Sequence, residues 1–154
     1  TKGAGVTWEV YLATSDSGSK KNNRQLKSGD TIYPKQRIAF RVFPRESGYY
    51  MIIGKDGAGV WYLASPHGSQ NNEDEQHTQL LKKPSANTPY IDLKDALEFD
   101  DQLGKELLFF LYCQTSLSFK TLKGHLQNRV SAQSKTLPSQ CQLSSFTLIK
   151  QSAP

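Results

Sequence analysis

The stretch from Tyr49 to Ser65, YYMIIGKDGAGVWYLAS, limits the possible folds more than any other part of the sequence. Two apolar, aromatic-rich runs flank Lys55–Gly59. An Asp-Gly step between such runs is typical of a β-hairpin, because glycine adopts the positive φ that the turn requires. Side chains alternate between the faces of a strand, and here both faces are apolar. We therefore expect the hairpin to lie centrally in a β-sheet that is covered on both sides.

The other apolar patterns predict more strands and a single helix. Alternation favours strands over 6–12 and 37–43, and a continuous apolar run favours a central strand over 106–113. Apolar residues at near-helical spacing after Ser118 predict a helix from 119 to about 130. Brief extended pieces are predicted at 90–92 and 97–99, and a final strand at 145–150, whereas 79–81 is only a short apolar run. Together these elements predict a mainly β fold: an immunoglobulin-like β-sandwich of about seven or eight strands, with one helix near the C-terminus.

The length of 154 residues fits one domain, 1–154, with an ordered core from about 6 to 150. The most polar segment, 66–78, is predicted to be a flexible loop. Its acidic residues and His67 and His77 lack the glycine-punctuated oxygen ligands of a calcium loop, so we expect no metal site. No run approaches the roughly 18 apolar residues of a membrane span, and no signal peptide opens the sequence. We expect the natural protein to extend beyond Thr1.

The net charge of +5 and the pI of 9.2 permit attraction to polyanions. The lysines are scattered along the chain, however, whereas a nucleic-acid footprint clusters its charges. We therefore expect a solvated lysine-rich surface and no nucleic-acid partner.

Cys113 and Cys141 are the only cysteines, and they contain no Cys-x-x-Cys motif that would suggest zinc. Two interpretations carry about equal weight. One is a disulfide in an oxidising compartment, which would stabilise the fold by roughly 3 to 4 kcal/mol. The other is two separate buried thiols, since free cysteine packs as a small hydrophobic residue. The disulfide is slightly favoured.

No pattern of catalytic residues emerges, so we expect no enzyme, no catalytic residue and no cofactor. A Gly-x-Ser-x-Gly motif is absent, and neither cysteine has an activating setting. The acidic residues at 98–106 suggest paired carboxylates for glycoside cleavage. Adjacent Asp100 and Asp101 would point in opposite directions on an extended chain, so a turn-capping role is favoured for this acidic set, which comprises Glu98, Asp100, Asp101 and Glu106.

Three motifs in this order resemble a bacterial family known only as a domain of unknown function. They are LKSGD at 26–30, GYYMII at 48–53 running through Asp56-Gly57 to Pro66, and FDDQLGKE at 99–106. Members are accessory modules, often C-terminal to membrane helices in anti-sigma-factor-like proteins or beside kinase or caspase-like modules. The resemblance implies a sensing or binding domain, commonly exported beyond a membrane helix, without known catalytic residues.

Exposed aromatic side chains are the remaining candidates for a binding surface. Packing in the core is the favoured role, but Trp61, Tyr62 and Tyr49 would serve as contacts if one sheet face stays exposed. We expect a non-enzymatic sensory or protein-interaction module with a protein partner in the bacterial envelope. It would be periplasmic or extracytoplasmic, and attached to the membrane only through a helix outside these residues. The alternative is a carbohydrate- or peptidoglycan-binding module. An exposed Trp-Tyr platform would favour glycan, whereas a flat apolar patch or a free sheet edge would favour protein.

Overall fold

The computed structural model describes residues 6–13, 23–67, 72–132 and 140–154. These residues form a mainly β fold with two sheets and a single α-helix near the C-terminus, as predicted. The helix, α1, spans Phe119–Ala132. The strands are β1 (Val6–Ala13), β2 (Arg24–Leu26), β3 (Thr31–Ile32), β4 (Arg37–Pro44), β5 (Gly48–Lys55), β6 (Trp61–Ser65), β7 (Gln79–Leu81), β8 (Ile91–Asp92), β9 (Leu97–Glu98), β10 (Gly104–Cys113) and β11 (Cys141–Lys150).

The first sheet has the strand order β2-β1-β4-β8, and β9 also pairs with β4. Its centre is the antiparallel pair of β1 and β4, which runs from Val6 opposite Pro44 to Ala13 opposite Arg37. The predicted alternation in β4 is confirmed, because the side chains that share a face with Phe40 are buried and those that share a face with Arg41 are not. One face of this sheet is therefore apolar and the other is wetter.

The second sheet has the strand order β3-β11-β10-β5-β6, and β7 also pairs with β5. The first strand of the predicted hairpin, β5, is central, as expected. The return strand, β6, lies at the edge, because among the described residues it pairs only with β5. The backbone N–H of Leu63 in β6 instead donates to Glu73 Oε2 at 2.9 Å.

Two apolar clusters cover the two faces of β5. Its residues Tyr50 and Ile52 pack between the sheets, with Phe40 and Phe110 among their neighbours. Met51 and Ile53 point the other way, into a second cluster that contains the helical residues Phe119, Leu122 and Leu126. This arrangement accounts for the two-sided hydrophobicity of the sequence, since each fully buried large apolar side chain contributes roughly 1.5 to 3 kcal/mol.

The two sheets form a sandwich-like arrangement, and the immunoglobulin-like assignment stays a prediction. The eleven described strands exceed the seven or eight predicted because of β2, β3 and β7, which have only two or three residues each. Within the predicted loop at 66–78, Glu73–Glu75 form a 3-10 turn, and Lys123 of α1 lies 3.1 Å from Asp74. Residues 68–71 lie outside the described ranges. The flexible loop and the single domain remain predictions.

Candidate functional site: a free strand edge and the cleft beside it

Strand β11 is paired along its whole length on one side and along only part of its length on the other. Strand β10 pairs with it from Cys113 opposite Cys141 to Gly104 opposite Lys150. On the far side, β3 pairs only with Ile149 and Lys150. In the part of the chain that the structure describes, no strand pairs with Cys141–Phe146 on this side. We call the side of β11 that faces away from β10, at Leu143 and Ser145, the free edge.

The hydrogen bonds near the end of β11 show which backbone groups of the free edge point outward. The Thr147 N–H donates to Ser28 Oγ at 3.0 Å, and the Thr147 carbonyl accepts from the Gly29 N–H at 2.7 Å. Both groups therefore face away from β10. Because direction alternates along an antiparallel strand, the N–H and C=O groups of Leu143 and Ser145 face the same way. A row of outward groups that no strand of the described ranges pairs with is a template for pairing with another chain.

Two attachments hold the free edge in place. Cys113 and Cys141 form a disulfide. Of the two interpretations of the cysteine pair, a disulfide or two separate thiols, this structure therefore has the disulfide. Further along, the Trp8 indole N–H donates to Ser144 Oγ at 2.9 Å and so links β1 to β11. The Trp8 ring stacks on Phe110, with 5.2 Å between ring centroids. The free edge is therefore anchored to both sheets, which lowers the entropy cost of adding a strand there.

A cleft of about 940 Å³ adjoins the start of the free edge. Its apolar lining comes from the starts of β1 and β11 and the end of β4, and includes Val6, Phe43 and Leu143. Arg45 and Lys83 supply positive charge, and the described lining residues include no acidic side chain.

A smaller groove of about 410 Å³ lies on the first sheet, beside Arg41. The Arg41 Nε is 2.7 Å from Asp92 Oδ1, and the guanidinium carbon is 4.0 Å from the centre of the Tyr90 ring. The hydrogen bond to Asp92 raises the pKa of Arg41 further. Since its charge is already paired with a carboxylate, Arg41 is a poor anion site.

The three aromatic residues proposed as contacts do not form one surface. Trp61 and Tyr49 lie on the helix-covered face of the second sheet, at opposite ends of β5, since Trp61 is opposite Lys55. Trp61 is half-buried and stacks on Phe109 at 5.7 Å. Tyr62 points to the opposite face, toward the interior between the sheets. The structure therefore contains no Trp-Tyr platform at this position.

Tyr62 belongs to a buried charged cluster that the sequence did not reveal. Its hydroxyl donates to Glu106 Oε2 at 2.5 Å, and the other oxygen of Glu106 lies 3.3 Å from Lys150 Nζ. Lys150 Nζ also donates to Asp100 at 2.6 Å. The side chains of Lys150 and Glu106 are 0% and 3% exposed, whereas Asp100 is 68% exposed.

Burial explains the acid-base properties of this cluster. It raises the pKa of Glu106, and burial together with the Glu106 carboxylate raises the pKa of Tyr62 well above its usual range. The hydrogen bond from Lys150 lowers the pKa of Asp100. Neither the cleft nor the groove is lined by these residues. The cluster thus connects β6, β10 and β11. The need to pair the charge of the buried Lys150 is sufficient to explain why these residues meet. Asp100 also has the predicted turn-capping role, since it accepts from the Gln102 N–H at 3.0 Å.

Histidines and acidic residues do not gather into a larger group. Within the described ranges, no three His, Cys, Asp or Glu side chains are placed to hold a metal ion. His67 Nδ1 lies 3.8 Å from Asp95, and His77 contacts the Glu75 carbonyl at 2.9 Å. No helix among the described residues is long and apolar enough to cross a membrane.

Comparison of the chain with protein-family models, with curated proteins and with solved structures gives no match. The resemblance to the bacterial accessory family therefore stays a prediction, based on the three motifs quoted above.

Sequence reasoning missed the free edge for a physical reason. The predicted last strand began at residue 145, whereas β11 begins at Cys141. The cysteine pair offered one usable signal: a disulfide between neighbouring strands places Cys141 beside Cys113, at the end of the predicted strand over 106–113. Which side of a strand stays unpaired depends on the order of all strands in the sheet, and no local pattern encodes that order.

Proposed function

We propose that this chain is a non-enzymatic protein-interaction module that binds an extended segment of a partner protein. The segment adds as a further strand to the free edge of β11. The observation that supports this proposal is the outward direction of the backbone groups of Leu143 and Ser145, with which no strand among the described residues pairs on that side. In strand addition, backbone hydrogen bonds supply affinity, and pockets for alternate side chains supply specificity. Here the free edge would supply the backbone hydrogen bonds, and the cleft beside it would supply a side-chain pocket.

The geometry favours a protein partner over the alternative, a glycan. Sugar rings stack on exposed aromatic platforms, and here Tyr62 is turned inward while Trp61 packs against Phe109. Backbone groups at a strand edge match the donor and acceptor spacing of another peptide chain.

The proposed setting is the bacterial envelope, with attachment through a membrane helix outside these residues. The disulfide supports an oxidising compartment, since cytosolic thiols are normally kept reduced. A sensory role follows if partner binding at the free edge is transmitted to that helix.

Selection from a displayed library of random twelve-residue peptides tests the proposal. We expect enriched peptides that bind the wild-type chain and the Ser145→Thr variant, which keeps the N–H, but lose at least tenfold in affinity for Ser145→Pro. Proline removes one donor from the free edge, and its ring obstructs an added strand. Peptides that bind Ser145→Pro as tightly as wild type would contradict the proposal.

A second measurement keeps the test valid if Ser145→Pro does not fold. In ¹H–¹⁵N spectra of the wild-type chain, the selected peptides should shift the amides of Leu143 and Ser145 most strongly. Shifts centred on Trp61 with none at the free edge would instead indicate a site on the outer face of the second sheet.

A further inference from the structure

We propose that Lys150 and Asp100 condense, after the chain has folded, into an amide bond that crosslinks their side chains, with Glu106 as the proton-transfer group. The bond is a single modification of the chain and not the turnover of a substrate. It does not depend on partner binding at the free edge. Ion pairing explains why these residues meet, and three features of their arrangement support the further step: the seclusion of the amine, its contact with a carboxyl group, and a second carboxylate beside it.

The amine of Lys150 is secluded from water. Lys150 is the last residue of β11, and its side chain is 0% exposed. Its Nζ lies 5.4 Å from the centre of the ring of Phe99, which is itself buried. A lysine amine in such a desolvated, apolar setting is one of the nucleophiles that proteins use to form covalent bonds.

The carboxyl group of Asp100 is in contact with this amine. Lys150 Nζ donates to Asp100 Oδ1 at 2.6 Å. Because Cγ is bonded to Oδ1, it lies roughly 3 to 3.5 Å from Nζ, which is the separation of reacting atoms poised for attack. Contact of this kind supplies effective concentrations of roughly 10⁵ to 10⁸ M, which favours condensation over separate amine and acid. The Asp100 side chain is 68% exposed, so the water that condensation releases has a path to solvent.

Glu106 is the acid-base group beside the two reactants. Its side chain is 3% exposed, its Oε2 accepts from the Tyr62 hydroxyl, and its Oε1 lies 3.3 Å from Lys150 Nζ. Within the described ranges, Oε1 is a buried oxygen that has no hydrogen-bond partner. Such an orphaned buried oxygen lowers stability and is rare in folded proteins. Here it is placed to accept the proton that the lysine nitrogen must lose in forming an amide.

The condensation balances without any co-reactant. A proton passes from the Lys150 ammonium to the Asp100 carboxylate, which gives an amine and a carboxylic acid. The Nζ lone pair attacks Cγ, and the C=O electron pair moves onto its oxygen. Glu106 then takes a proton from the attached nitrogen and gives it to the hydroxyl oxygen on Cγ. The C–O bond breaks, one water leaves, the C=O bond re-forms, and Glu106 ends ionised as it began.

The crosslink lies at the opposite end of a strand pair from the disulfide. The pairing of β10 with β11 runs from Cys113 opposite Cys141 to Gly104 opposite Lys150. The disulfide fastens the first of these ends. Asp100 lies just before β10, so the amide fastens the second end. Separation of β11 from β10 would then be opposed by a covalent bond at both ends.

Mass spectrometry of the purified wild-type chain, after reduction of the disulfide, tests the proposal. We expect an intact mass lower than that of the sequence by one water, about 18 Da, because amide formation releases one water. Digestion with trypsin should yield residues 95–105 covalently joined to residues 136–154, because a crosslinked Lys150 is no longer a cleavage site. The joined pair distinguishes the crosslink from cyclisation at Asp56-Gly57, which also loses water but leaves these segments separate.

Variants assign the role of each residue. Lys150→Arg keeps the positive charge but removes the amine, and Asp100→Ala removes the carboxyl group, so both should have the full mass. Glu106→Gln cannot accept the proton and should link at least about a hundredfold more slowly, measured as the fraction of joined peptide at intervals after cell-free synthesis. Asp101→Ala is the matched control, because it removes the adjacent exposed carboxylate and should link as the wild type does.

The outcomes that contradict the proposal are distinct. Full mass in the wild-type chain, with 95–105 and 136–154 recovered as separate peptides, would overturn it. Linkage of Glu106→Gln at the wild-type rate would overturn the role assigned to Glu106. Since the wild-type measurement decides whether the bond forms, a variant that folds poorly does not weaken the test. Strand addition at the free edge is tested separately, through the amide shifts of Leu143 and Ser145.

Discussion

Removal of the disulfide gives the most quantitative prediction about this fold. The bond joins Cys113 and Cys141, which are 28 residues apart, at the ends of β10 and β11 that meet in the second sheet. The loop-closure expression, 2.1 plus 1.5R ln n in cal/mol/K with n of about 28, gives about 3.6 kcal/mol at 25 °C. The double variant Cys113→Ala/Cys141→Ala should lose about that amount, with up to about 1 kcal/mol more for the sulfur contact of the fully buried Cys113.

Urea unfolding followed by tryptophan fluorescence measures this loss. With a denaturant slope of roughly 2 kcal/mol per molar urea, the midpoint should fall by about 2 M. Reduction of the wild-type chain should produce a similar fall, whereas the same reductant should not change the double variant, because these are the only cysteines. A loss below about 1 kcal/mol by both routes would refute the reasoning, since the bond would then impose no constraint on the unfolded chain.

Three further perturbations separate the roles assigned to individual residues. Ser145→Pro should lower the free energy of unfolding by less than about 1 kcal/mol in chemical denaturation. Ser144→Pro should lower it by roughly 2 to 3 kcal/mol, because the N–H of Ser144 faces Phe110 of β10. Equal losses would contradict the assigned edge. Relative to the chain without the amide, Glu106→Ala should destabilise the fold by roughly 3 kcal/mol or more, because it removes the buried partner of the fully buried Lys150. On the same scale, Asp100→Ala removes the exposed partner of Lys150 and should destabilise the fold by at most about 1 kcal/mol. The reverse order in thermal unfolding would show that the surface pair dominates. Burial raises the pKa of Tyr50 to about 12, so the unfolded chain loses this proton first, and the stability present below about pH 10 should decline as pH rises toward 12. Tyr50→Phe should reduce the slope of unfolding free energy between those pH values by about 1.4 kcal/mol per pH unit, and an unchanged slope would exclude Tyr50 as its source.

Local patterns predicted the elements whose formation depends on their own residues. The helix begins at Phe119 as predicted, because its apolar spacing and the capping Ser118 are both local features. The Ser118 hydroxyl accepts from the Thr121 N–H at 3.2 Å. The turn after β5 is likewise local: Asp56 Oδ1 accepts from the N–H groups of Ala58 and Val60, both at 2.9 Å. Such hydrogen bonds span two to four residues, so the sequence carries them directly.

Features that depend on strand order were beyond the reach of those patterns. Two-sided hydrophobicity indicated a central hairpin, yet only β5 is central and β6 is an edge strand. The charged cluster escaped notice because Tyr62, Glu106 and Lys150 are far apart in sequence and each sits in an ordinary strand pattern. Their meeting requires β6, β10 and β11 to belong to one sheet with a fixed register. The free edge was missed for the same reason.

Amide hydrogen exchange along β11 tests the central claim most directly. If the free edge is unpaired on the side away from β10, protection should alternate residue by residue. Ser144 and Phe146, whose N–H groups face β10, should exchange slowly. Leu143 and Ser145 should exchange at rates near those of exposed amides, and slow down when a selected peptide is added. Uniform slow exchange across these four residues without peptide would contradict the account, because their outward groups would already have partners.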